Sequence, residues 1–230
     1  MRSSKYIQLT LDQARKPIPG VHGGWRPNAG RPRGRTTVPH DARPAHIARY
    51  PLHVTLRLRD GAPNIASDWL MRVVRSAIAA AQRTELRVVE FNVLANHIHL
   101  VVEANDSHAL SRGIQGLSVR IVRHVNRRAR RRGKLFATRF HCRALMSPRD
   151  VRNVLRYVLL NRRHHDKTTR FDREWIDPCS SAAWFDGWCA PIRGRGELLA
   201  MPPPTVRART WLLAIGWRRR GLLRFDEAPT

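Results

Sequence analysis

Two hydrophobic periods alternate between Tyr50 and Leu145, and their order restricts the fold more than any other property of the chain. Val54, Leu56 and Leu58 alternate with His53, Thr55 and Arg57, the period of two that marks a half-buried strand. Leu70, Val73, Val74, Ala77, Ile78 and Ala81 then recur at helical spacing. Arg87 to Leu94 returns to strand alternation, with Val89, Phe91 and Val93 on one side, and Ala95-Asn96 turns straight into another strand at His97. A second helical stripe, Leu110, Ile114, Leu117, Ile121 and Val125, is expected to end at Gly133, and Leu135 to Leu145 reads as a fourth strand. Strand, helix, strand, strand, helix, strand is the split βαβ order of an α+β, ferredoxin-like antiparallel sheet. Both helices then cover one face and leave the other open for chemistry.

Strand parity sorts the polar residues onto that open face. His53, Thr55 and Arg57 come from the first strand, His97 and His99 from the third, and Arg139, His141 and Arg143 from the fourth. In Asn96-His97-Ile98-His99-Leu100 the two imidazoles emerge on one side while Ile98, Leu100 and Val102 turn into the core. Two neutral imidazoles on a rigid strand make half of a metal site. In the usual strand order of this fold the first and third strands are the central pair, which sets His53 beside them.

A further helix is expected to start at Ser147-Pro148-Arg149-Asp150. Ser147 suits the N-cap, Pro148 the first turn, and Asp150 the position that answers the cap. Its apolar stripe, Val151, Val154, Leu155, Val158 and Leu159, can dock on the sheet. Beside the stripe run Asn153, Tyr157 and Asn161, one turn apart. A divalent cation, Mg²⁺ or Mn²⁺, held by His97, His99 and the Asn161 amide oxygen would keep positions open for a phosphate oxygen. Tyr157 is the candidate nucleophile. An ordinary phenol costs about 4 kcal/mol to ionise at pH 7, a cost that nearby arginines and a metal lower. His53 and His141 line this site.

Charge points the chemistry toward nucleic acid. Lys and Arg number 43 against 17 acids, a formal charge of +26, and most of the basic residues are Arg, whose planar fork matches phosphate. A membrane surface fits poorly, because the basic residues are spread through every segment and no long apolar run occurs. Cys142, Cys179 and Cys189 have neither the even number of a disulfide framework nor the spacing of a thiolate zinc site, so a reducing cytoplasm is expected. Residues 1–48 hold a Pro, Gly and Arg mixture with little to bury. They are expected to form a disordered basic arm whose Arg31, Arg33 and Arg35 grip phosphates, as Arg57, Arg139 and Arg143 do on the sheet. Residues 167–230, with Trp175, Trp184, Trp188, Trp211, Trp217 and several prolines, are expected to form a small irregular appendage whose aromatics either stack on bases or pack against the catalytic domain at 49–166.

Four motifs carry a family resemblance. Pro51-Leu52-His53-Val54-Thr55, Asn96-His97-Ile98-His99-Leu100-Val101-Val102, Gly133-Lys134-Leu135-Phe136-Ala137-Thr138-Arg139-Phe140-His141 and Arg156-Tyr157-Val158-Leu159-Leu160-Asn161 resemble, in order and spacing, the REP-associated tyrosine transposases of bacteria, a branch of the single-tyrosine HUH transposases. The resemblance spans Tyr50 to His165. It implies His97 and His99 as metal ligands, Tyr157 as nucleophile and Asn161 as a further ligand or polar support. It also implies cleavage and rejoining of single-stranded or hairpin DNA through a 5′-phosphotyrosine link, at the nucleoid. The chain departs where many relatives read Asn-Pro, having Asn161-Arg162 instead. Monomer and homodimer both stay open, and with them whether Tyr157 acts on its own subunit's metal. The competing reading is a catalytically silent DNA-binding protein of the same fold. A two-histidine phosphoesterase fits less well, because His53-Val54-Thr55 has no second His-x-Thr partner.

Overall fold

The computed structural model describes residues 45–165, 175–192 and 200–227. The basic arm, with Arg31, Arg33 and Arg35, lies outside the described residues. Four strands, β1 (Leu52–Arg57), β2 (Leu86–Val93), β3 (His97–Ala104) and β4 (His141–Ala144), form one antiparallel sheet in the order β2-β3-β1-β4. Helices α1 (Asp68–Ala81) and α2 (Ser107–Arg128) complete the expected βαββαβ order, and β1 and β3 are the central pair as expected.

The residues that alternate in sequence build the first core. Val54, Leu56, Ile98, Leu100 and Val102 from the sheet meet Leu70, Val74 and Ile78 of α1 and Ile114, Leu117 and Ile121 of α2, all at most 3% exposed. Asp106 caps α2, its carboxylate accepting from the Ala109 amide at 2.7 Å. The helix stops at Arg128, five residues before the expected Gly133, because Arg130 turns into positive φ. Gly133 sits at φ +91°, a conformation that favours glycine. The fourth strand is also shorter than its apolar pattern suggests. Leu135 and Phe136 link to the residues just after β1, through Arg59 N–H to Leu135 O and a bridge to Leu58, Ala137 N–H reaches Arg57 O, and pairing becomes continuous only from His141.

One strand departs from simple alternation. A bulge between Val88 and Glu90 sets Val102 opposite Val88 but Val101 opposite Glu90. Val88, Phe91 and Val93 therefore enter the first core, while Val89, expected on their side, turns to the other face.

That other face carries a second core. Helix α3 (Pro148–His165) starts as its sequence demands: Ser147 Oγ accepts from the Asp150 amide at 3.1 Å, and Asp150 Oδ2 accepts from the Ser147 amide at 3.1 Å and hydroxyl at 2.9 Å. Val151, Val154, Leu155, Val158 and Leu159 pack with Val89 and Val101 of the sheet. Among the described residues after Trp175 the regular elements are the short α4 (Trp211–Ala214) and a 3₁₀ turn at Gly216–Arg220. Trp188, Trp217, Phe185, Leu213 and Phe225 pack into this second core, so these two tryptophans pack rather than wait for bases, whereas Trp211 is 48% exposed. Arg152 of α3 fastens the end of the segment, donating to the carbonyls of Gly221 and Leu222 and to the Glu227 carboxylate. No helix among the described residues is long and apolar enough to cross a membrane.

Candidate active site

Directly opposed residues of an antiparallel sheet share a face, so the register arranges the polar side chains in rows. Arg57 lies opposite His97. Asn92, His99, Thr55 and His141 form a second row across all four strands, and Glu90, Val101, His53 and Arg143 a third. Arg57, His141 and Arg143 are exposed on this face, and Arg139, in the segment leading to β4, is exposed as well.

The two histidines of β3 stand parallel, ring centroids 6.1 Å apart and planes 9° from coplanar. His97 Nδ1 is 2.8 Å from Asn96 Oδ1. An amide oxygen only accepts, so Nδ1 carries the proton and Nε2 the lone pair. His99 is buried, with Nδ1 at 3.2 Å from His53 Nε2 and 3.3 Å from Thr55 Oγ1. His53 stacks on His99 with centroids 5.3 Å apart. Burial, then the Arg143 guanidinium and His141, pull the pKa of His53 down to about 4, so its ring is neutral at physiological pH and can accept through Nε2. His99 Nδ1–H can then donate to it, which turns the lone pair of His99 to Nε2, as in His97.

Helix α3 delivers Tyr157 to this pair. Its ring meets His99 edge-on at 5.3 Å and His53 at 5.9 Å. Asn161, one turn further on the same side of the helix, is fully buried, and neither atom of its amide has a hydrogen-bond partner among the described residues. A buried amide without partners carries a desolvation cost that a ligand would offset. Imidazole nitrogens from His97 and His99 with an amide oxygen are a donor set that fits a divalent cation with open positions. Among the described residues no group of three His, Cys, Asp or Glu is placed to hold a metal, so the third donor would have to be an amide, a water or the substrate.

The sequence reading missed the polar groups behind this site. Asp177 is buried, and its carboxylate accepts from Asn92 Nδ2 at 2.8 Å and from the Cys179 amide at 2.9 Å, with Arg162 of α3 at 3.8 Å. Burial raises its pKa while these partners oppose the shift. This cluster ties the end of α3 to the strand beside His99. Asn92 was accessible from strand parity, since it follows Glu90 by two. Asp177 sits in an irregular segment with no periodicity to place it.

Residues 47–160 match the family described as "Transposase IS200 like". Over those residues the chain belongs to the IS200-like transposase family. Among solved structures it is similar to a REP-associated tyrosine transposase bound to a REP hairpin, with a TM-score of 0.50 and 16% identity over 74% of this chain and 92% of the other. At that identity the likeness shows the fold, an α+β sheet with its added helix. The comparison with curated proteins gave no match. The IS200-like segment contains His53, Asn92, His97, His99 and Tyr157, while Asn161, Arg162, Asp177 and Cys179 fall beyond it.

Proposed function

We propose that this IS200-like transposase cleaves and rejoins single-stranded or hairpin DNA, with Tyr157 as the nucleophile and His97, His99 and Asn161 as the holders of Mg²⁺ or Mn²⁺. The observation that carries the reading is the edge-on approach of the Tyr157 ring to His99, on the sheet face where the two β3 imidazoles stand parallel. The solved neighbour's REP hairpin is the reason to name hairpin DNA as the substrate. A bound divalent cation would neutralise charge on the scissile phosphate.

The chain's own residues do the remainder. The Tyr157 oxygen forms the bond to phosphorus as the bond to the 3′ oxygen breaks, the phenol proton leaves, and the 3′ oxygen takes one up. The product is a 5′-phosphotyrosine and a free 3′-hydroxyl, and the reverse attack rejoins the strand without an external energy source. His53 and Thr55 orient His99 through Nδ1, and Asn96 orients His97. Arg57, Arg139 and Arg143 lie exposed on or beside the same face and serve the DNA backbone. No acidic residue occurs between Asp106 and Asp150, so α2 and the loop after it add cations without opposing charge.

The test is a denaturing gel of the protein with labelled hairpin DNA and Mg²⁺. A covalent adduct is expected from the wild type, absent in Tyr157→Phe and on chelation, with hairpin binding kept in Tyr157→Phe. Binding without an adduct from the wild type on every hairpin tried would leave the silent DNA-binding protein as the better reading.

A further inference from the structure

The bulge in β2 places a carboxyl group where the proposed chemistry has no use for one. Glu90 is 8% exposed and lies in the same cross-strand row as His53, two strands away, or about 10 Å. One oxygen, Oε2, accepts from Ser181 Oγ at 2.5 Å, and Ser181 is itself fixed by the Phe91 amide at 2.9 Å. The other oxygen has no hydrogen-bond partner among the described residues. Glu90 lines a cavity of about 460 Å³ between β2, α3 and the C-terminal segment, within the range of small-ligand sites. Trp184, half-buried, supplies an aromatic wall, while Phe185 and Trp217, stacked on each other at 5.6 Å and 5% and 1% exposed, border it as part of the second core. The other charged groups lining it are Asp186, Arg207 and Arg218, of which Asp186 and Arg218 pair with each other at 2.5 Å.

We infer that this cavity is a second DNA subsite, taking one unpaired nucleobase whose hydrogen-bonding edge is read by Glu90. The inference rests on the proposed DNA substrate. The Trp184 wall suits the face of a base, Arg207 is an exposed cation for the attached phosphate, and one buried carboxyl supplies the polar contact. A backbone segment alone would not call for an aromatic wall, and an apolar ligand would leave the carboxyl unpaired. Burial, with a smaller contribution from Asp186 and against the Ser181 hydrogen bond, pushes the pKa of Glu90 up to about 8. At neutral pH the group is therefore largely a carboxylic acid, one donor beside one acceptor. That pattern pairs with the amino edge of adenine or cytosine, while the ionised form, with two acceptors, pairs with the two donors of guanine.

The experiment measures binding of the full chain to hairpins carrying a short single-stranded flank, with one flank position varied among adenine, guanine and an abasic site, at pH 6.5 and pH 9 and constant salt. Ratios between hairpins within one protein cancel differences in overall affinity. At one flank position the abasic hairpin is expected to bind more weakly than the best base by roughly fivefold to a hundredfold. The guanine-to-adenine ratio rises with pH in the wild type. It stays level in Glu90→Gln, whose amide copies the neutral acid at both pH values, and base preference disappears in Glu90→Leu. Equal binding of abasic and base-bearing hairpins at every flank position, or a ratio that moves with pH equally in Glu90→Gln, overturns the subsite while leaving the tyrosine chemistry intact. Failure of the wild type to bind any hairpin overturns both.

Discussion

Burying Glu90 imposes a pH dependence on folding that can be measured without any DNA. Its carboxyl has a pKa near 8 in the folded chain against an ordinary 4.5, with burial as the main cause. Because the folded value is the higher one, the folded chain holds a proton that the unfolded chain gives up. The favourable contribution is complete below pH 4.5 and is lost as pH rises toward 8. Each pH unit between the two values is worth about 1.36 kcal/mol, so by pH 7 the wild type has lost about 3.4 kcal/mol, and above pH 8 about 5 kcal/mol. Glu90→Gln keeps an acceptor for Ser181 and cannot ionise. Denaturant titrations of both proteins at half-unit pH intervals from 4.5 to 9 isolate the effect, because every other titrating group cancels in the difference. The stability of Glu90→Gln relative to wild type should climb by about 3 kcal/mol between pH 4.5 and 7 and level off above 8. In thermal scans the same gain amounts to roughly 7–14 °C. Parallel stability curves for the two proteins would show that the carboxyl is solvated, and would refute the burial on which the cavity chemistry depends.

Other perturbations probe the scaffold that positions the site. A methyl at Gly113 would sit 2.2 Å from Leu86 Cδ2 and 2.8 Å from Leu86 Cβ. Gly113→Ala should therefore lower the melting temperature, overpacking of about 1–3 kcal/mol outweighing the gain in helix propensity of about 1 kcal/mol; an unchanged or raised value would mean that α2 packs less closely on β2. Ser147→Ala removes the acceptor for the Asp150 amide and should cost about 1 kcal/mol in a urea titration, with no loss attributable to the sheet. Asp177→Ala leaves the Asn92 amide, the Cys179 amide and Arg162 without their shared acceptor. It should destabilise by about 3 kcal/mol and reduce adduct formation, whereas an unaltered adduct yield would separate this cluster from the placement of α3.

Much of this architecture could be read from residue order because the signals were local. Period-two and period-3.6 patterns placed β1, α1, β3 and α2, and a Ser-Pro-x-Asp start placed α3, since each depends on neighbours within one turn or one strand. The same parity brought His53, His97 and His99 to one face, where the rings do stack. Legibility ended where contacts are distant in sequence. The apolar run from Leu135 looked like strand throughout, yet only His141–Ala144 pairs continuously with β1. The bulge that rotates Val89 away from Phe91 and Val93 leaves no mark in composition. Asp177 meets Asn92 across 85 residues, and Ser181 meets Glu90 across 91. Such pairs are set by tertiary packing and not by propensity.

The distribution of buried polar groups links these observations. A charged or amide side chain held in a sheet interior costs stability unless something answers it. On the α3 face the answers are uneven. Asn92 donates one amide N–H to Asp177, which is structural work, and its Oδ1 has no hydrogen-bond partner among the described residues. Asn161 has no partner for either amide atom among the described residues, Glu90 keeps a buried carboxyl beside the cavity, and the two stand where ligands are inferred: metal and phosphate near Tyr157, a base beside Leu155. If both are ligand sites, the cost of burying each polar group is one that DNA and metal relieve together. The full chain should then gain more thermal stability from hairpin DNA and Mg²⁺ combined than from the sum of each alone. Additive shifts in the melting temperature would mean that the two groups answer to independent ligands, or to none.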